Sequence, residues 1–118
     1  MDVTTRENIV RLIVSRLALN EAQRKNHNAQ RPAFDLRRDE AECAAAEAAL
    51  GAAQGAYSNV ARGAQVVNLL DVLDVAHEQA MMLDRGQGFV ADGLGQYGCD
   101  AVWAAAMDVA HDLRAKGV

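Results

Sequence analysis

Cysteine, proline and aromatic side chains are scarce in this chain, and each shortage removes a class of protein. Among 118 residues there are two cysteines, one proline and five aromatics. Cys43 and Cys99 lie far apart without CxxC spacing, which excludes a dithiol redox motif and a zinc ribbon. Two free thiols fit a reducing, cytoplasmic setting. No apolar run approaches the roughly 18 residues of a membrane span. The first residues carry helically spaced hydrophobics among arginines, a pattern that predicts no secretory signal. The apolar fraction is 51%, with aromatics only 4%, so the chain is globular but much of its apolar content is alanine. Small side chains of that kind predict a thin core and closely approaching helices.

Positive charge is also in short supply. Lysine and arginine total 12 against 16 acids, for a net charge of −4. Residues 1–38 hold eight basic and four acidic groups, a net of +4, while residues 39–118 hold four and twelve, a net of −8. Phosphate contacts need a basic face, so direct nucleic-acid binding is not expected. The asymmetry leaves attraction between the two segments, within or between copies, or an acidic surface aimed at a basic partner. Arginine outnumbers lysine ten to two, the composition of a GC-rich bacterial or phage genome.

Helical periodicity is what the chain has in plenty. Thr4 and Thr5 are good caps, and Ile9, Ile13 and Leu17, with Val10 and Val14, form a helical apolar stripe. The polar run from Asn20 to Arg31 favours fraying or a loop, and Pro32 bars a straight continuation. A second, long helix is expected from between Pro32 and Asp39 to about Ala61. Leu36, Cys43, Leu50 and Tyr57 recur at one heptad position, with Ala46, Ala53 and Val60 at the other, a narrow coiled-coil-like seam. Gly51 and Gly55 each cost about 1 kcal/mol relative to alanine. Small residues four apart mark a tight helix crossing, and the competing expectation is a loop near 51–55. A third helix over 65–84 is apolar around more than half its circumference and is expected to be the most buried. Gly86 is its natural C-cap. Residues 86–98 contain five glycines, and Asp100 then offers an N-cap for a fourth helix over 101–115. The expected architecture is all-α, a single-domain antiparallel bundle of about four helices over 1–118 with a glycine-rich loop before the last.

Chemistry is sparse. Asp74-Val75-Ala76-His77-Glu78 returns as Asp108-Val109-Ala110-His111-Asp112, each copy placing a carboxylate one helical turn from an imidazole. The spacing resembles the Glu-x-x-His pairs of ferritin-like di-iron bundles, with aspartate for glutamate. Asp74, His77, Asp108 and His111 are therefore the candidate metal ligands, with Glu42 or Glu47 and Glu7 or Glu21 to complete the set. On helical wheels His77 falls at the edge of its apolar arc and His111 outside it, which argues against a symmetric site. Asp39/Glu42 and Asp71/Asp74 have the spacing with which all-α nucleotide pyrophosphohydrolases hold magnesium, a resemblance confined to those acids. Gly93-Leu94-Gly95-Gln96-Tyr97-Gly98 spells GxGxxG, but no strand precedes it and no P-loop lysine follows. It reads as an interhelical turn whose Phe89, Leu94 and Tyr97 can present a binding surface.

The reading that results is a non-enzymatic protein-binding module without a cofactor. It is expected to form a homodimer, with Leu36, Cys43, Leu50, Tyr57, Phe89, Leu94 and Tyr97 as interface candidates. One alternative is an acidic mimic of nucleic acid that occupies a basic partner protein through Asp71, Asp74, Glu78, Asp108 and Asp112. A second is a metal-dependent helical-bundle enzyme. The echoed histidines are expected at the solvent rim of the bundle.

Overall fold

The computed structural model describes residues 2–32, 37–64, 68–86 and 93–115, and among them the regular structure is helical. α1 spans Val3–Gln30, α2 Glu40–Gly63, α3 Leu69–Asp84 and α4 Cys99–Ala115, with a single 3-10 turn at Leu94–Gln96. α1 begins earlier than its threonines predict. Asp2 is the cap, its carboxylate accepting from the Thr5 amide at 2.7 Å. α1 also runs through the polar stretch expected to fray. Glu21 and Lys25 pair one turn apart, and Gln30 donates to Glu47 of α2 at 2.9 Å, so the far end of α1 is held by its neighbour.

Asp39 caps α2 through the amides of Ala41 and Glu42. α2 is unbroken across Gly51 and Gly55. Asn68 caps α3, and Gly86, at φ +65°, follows its last turn as the C-cap reading requires. Asp100 lies inside the first turn of α4 rather than ahead of it. Leu36, Phe89, Val66 and Val67 lie outside the described residues.

α1 is the central element. Its early residues Asn8 and Arg11 line a groove with Asn59, Val60 and Gly63 of late α2, while Gln30 meets Glu47, so α1 and α2 are antiparallel. α1 and α4 are antiparallel too, because Arg16 meets Asp112 and Asn20 meets Asp108. One buried cluster draws on all four helices: Ile9, Leu12 and Ile13 from α1, Tyr57 from α2, Val72 and Val75 from α3, Val102 and Val109 from α4. Leu94 fills it from the 3-10 turn and is fully buried. Gly93 sets up that turn in the left-handed region at φ +91°, and a Cβ there would stand 3.2 Å from a Val14 methyl.

The molecule measures 50 × 34 × 20 Å. Twenty ångströms is two helix diameters, so helices that flank α1 have no third layer over them. α3 shows the consequence. No helix has a larger buried share among the described residues, as its sequence predicts, but its apolar circumference exceeds what α1 and α4 cover, and Leu70 is 67% exposed. Among the described residues no helix is long and apolar enough to cross a membrane.

Candidate functional site

The second copy of the echo is joined to α1 and α2 by charge. The Arg16 guanidinium on α1 donates to Asp112 at 3.1 Å, and its Nε lies 3.6 Å from Asp108. Asn20, one turn along α1, donates to Asp108 at 2.9 Å. From α2 the Tyr57 hydroxyl donates to the same Asp112 oxygen at 2.6 Å, and Arg16 lies over the Tyr57 ring at 5.3 Å from its centre. Burial raises the Tyr57 pKa, and the hydrogen bond to ionised Asp112 raises it further. Its hydroxyl stays protonated and serves as a donor.

The first copy repeats the device at a simpler level. Glu78, which matches Asp112 in the echo, pairs with Arg6 of α1. Thus α3 and α4 each aim the acid that ends the echo at an α1 arginine. These contacts account for part of the charge asymmetry between the two segments: attraction operates within the chain. They also engage Glu78, Asp108 and Asp112 of the echoed motif. Asp108 is engaged by Arg16 and Asn20, His77 and His111 are both exposed, and Asp74 is exposed on α3. His77, at the edge of its apolar arc on the wheel, is exposed, and its ring sits 6.0 Å from that of Trp103 on α4. Among the described residues no three His, Cys, Asp or Glu side chains are grouped to hold a metal ion. The Asp39 carboxylate, half of one magnesium-type pair, is taken by its capping bonds. Of the five acids of the nucleic-acid mimic, Glu78, Asp108 and Asp112 are paired to arginines, which leaves Asp71 and Asp74.

From Cys43 to Val60 the heptad seam is occupied within one chain. Cys43 is 3% exposed, its thiol donating to the Ala29 carbonyl, and Tyr57 is 8% exposed. Leu50, Ala53 and Val60 pack against the core at its border. Leu94 is a core residue and offers nothing to a partner. Tyr97 is half-buried and donates to Glu21 at 3.0 Å, a bond that helps hold the Glu21 carboxyl below its ordinary range. It closes one end of an open groove of about 400 Å³ with Leu17, Asn20, Arg24, Gln96 and Ala104.

Two faces that wheel reasoning left unassigned stand out instead. On α2, turned away from α1, Ala41, Ala44, Ala45, Ala48, Ala49, Gly51, Ala52, Gly55 and Ala56 are all exposed. No polar side chain interrupts them; Glu42, Glu47 and Gln54 lie along the borders. A Cβ built on Gly51 or Gly55 meets nothing within 4 Å, so no contact among the described residues calls for glycine there. On α3 and α4, Leu70, Met81 and Met107 are exposed beside the half-buried Trp103. The sequence signals for both faces were present, Gly-Ala-Ala-Gln-Gly in one case and the surplus apolar arc of α3 in the other. Comparison of the chain with known protein families, with curated proteins and with solved structures returns no match.

Proposed function

We propose that this protein is a small interaction module that pairs with a second copy of itself through the outer face of α2. The observation that carries this reading is the pair of glycines at open space. Each weakens an exposed helix interior by about 1 kcal/mol relative to alanine, and no contact among the described residues offsets that. Glycine and alanine at four-residue spacing let a second helix backbone approach to about 8 Å, at the short end of helix-packing distances. The alanine-rich sequence around them needs no rotamer entropy to be fixed on contact.

Charge sets the direction of pairing. Glu40, Glu42 and Glu47 occupy the first third of α2, while Arg62 lies in its last turn. An antiparallel partner sets those acids near the other copy's Arg62 and opposes the two helix dipoles. Such a two-fold contact is self-complementary and closes at two chains. The proposed interface is thus on the opposite side of α2 from the heptad seam, whose residues are used against α1.

A cysteine probe locates the face. In a Cys99→Ser background, Ala52→Cys lies near the middle of α2 and faces outward, so mild oxidation is expected to give an intermolecular disulfide. Ala18→Cys, on the exposed side of α1, is expected to remain monomeric under the same oxidation. Equal crosslinking at both positions, or none at Ala52→Cys, contradicts the assignment.

A further inference from the structure

The outer surface of α3 and α4 is a second exposed apolar face, and its charges tell what fits it. At about 100° per residue, Leu70, Asp74, His77, Met81 and Asp84 share one strip of α3. Trp103, Met107 and Asp100 share one strip of α4, and the two strips meet where the His77 ring approaches that of Trp103 at 6.0 Å. Leu70 is 67% exposed, Met107 55% and Met81 36%. These are three of the four large hydrophobics exposed among the described residues, the other being Val3 at the start of α1.

The carboxylates between these anchors differ from those of the echo network. Glu78, Asp108 and Asp112 are neutralised by Arg6 and Arg16, whereas Asp74, Asp84 and Asp100 form no salt bridge among the described residues. Among the described residues, Arg114 near the end of α4 and Arg85 at the end of α3 are the arginines bordering the strip, against its three unpaired acids. An apolar face studded with free acids repels a second copy of itself. It complements a helix whose apolar stripe is flanked by lysine or arginine, and methionine side chains adapt to such a stripe without fixed shape.

We infer that the α3–α4 face docks a basic amphipathic helix of another protein. Leu70, Met81, Trp103 and Met107 take the apolar side chains, and Asp74, Asp84 and Asp100 take the basic flanks. The inference is independent of self-pairing, because α2 presents a different surface.

Trp103 is the single tryptophan of the chain and stands on this face, so it reports occupancy directly. The probe is a synthetic 18-residue helix of leucine and lysine, with a control in which glutamate replaces lysine. With the lysine peptide, Trp103 emission is expected to shift to shorter wavelength and saturate at micromolar concentration. Raising the salt from 50 to 500 mM should weaken binding at least tenfold, since exposed charges are screened. Met107→Glu and Leu70→Glu, both at exposed positions, should each weaken it at least tenfold without loss of helical circular dichroism, while Ala18→Glu on the exposed side of α1 should leave it unchanged. Equal binding of the glutamate peptide overturns the inference, as does an unsaturable response or indifference to Met107→Glu. So does a Trp103 shift driven by protein concentration alone, which assigns the face to a second copy.

Discussion

Arg16 gives the echoed motif its structural meaning. Alone it serves two carboxylates and an aromatic face, and its side chain is only 17% exposed. Arg16→Met leaves Asp108 and Asp112 without their cation, and about 1–3 kcal/mol of stability should be lost in urea unfolding. Arg6→Ala breaks a more exposed pair and should cost less than about 1 kcal/mol. Tyr57 and Tyr97 add a pH dependence. Both hold their protons above the ordinary tyrosine value of 10.0, chiefly through burial and then through bonds to Asp112 and Glu21. The unfolded chain therefore releases those protons first. Their contribution is fully present below about pH 10 and declines as pH rises further. The urea midpoint should fall between pH 9.5 and 11, and Tyr57→Phe should flatten that fall; an unchanged slope contradicts the network. The acids and imidazoles of the echo were legible in the sequence, including their place at the rim. Their partners were not, because Arg6 and Arg16 lie 72 and 96 residues from Glu78 and Asp112. No local spacing encodes such a contact.

Among the elements, α2 is where sequence and structure part most instructively. Its heptad pattern is real, but a narrow apolar seam says only that one helix lies along it. The antiparallel neighbour turned out to be α1, whose polar second half stays helical because α2 is there to bond it. The continuity of α2 through Gly51 and Gly55 was legible, whereas the tight helix crossing expected at those glycines is not made by any described residue. What cannot be read from one strand of sequence is that this face lies open among the described residues; in the proposed pairing a second copy covers it. That assignment makes a paired prediction. In an Ala48→Glu background, Gly51→Ala and Gly55→Ala should each stabilise the protein by about 1 kcal/mol, since a Cβ meets only open space. In the otherwise unmodified protein the same changes should weaken self-association several-fold, as read by dilution. Stabilisation in both settings separates the glycines from pairing. The glycine-rich loop holds a different lesson: Leu94, which composition placed at a surface, is a plug. Leu94→Ala should cost about 2–5 kcal/mol, the loss of a large buried side chain.

At the scale of the whole molecule, the fold is thin for its mass. The radius of gyration is 15.7 Å, against roughly 13.5 Å for a compact domain of this length. The accessible surface is 7530 Å², about 1,300 Å² more than a monomer of this mass is expected to show. A stable interface of standard size hides about 800 Å² per partner, less than this surplus. Alanine explains the shape: it permits close helices but fills little volume, and a slab of two layers exhausts the large side chains available. The all-α class, the helix count and the thin core were all legible from composition and period. The flatness was not, because it depends on which helices lie beside α1 rather than across from it. Sedimentation equilibrium on the full chain at tens of micromolar tests the central claim most directly. The account predicts a species of twice the single-chain mass of 12.6 kDa, reduced to one chain by Ala48→Glu with its helical spectrum intact. A 12.6 kDa species for the unmodified protein at that concentration would contradict it.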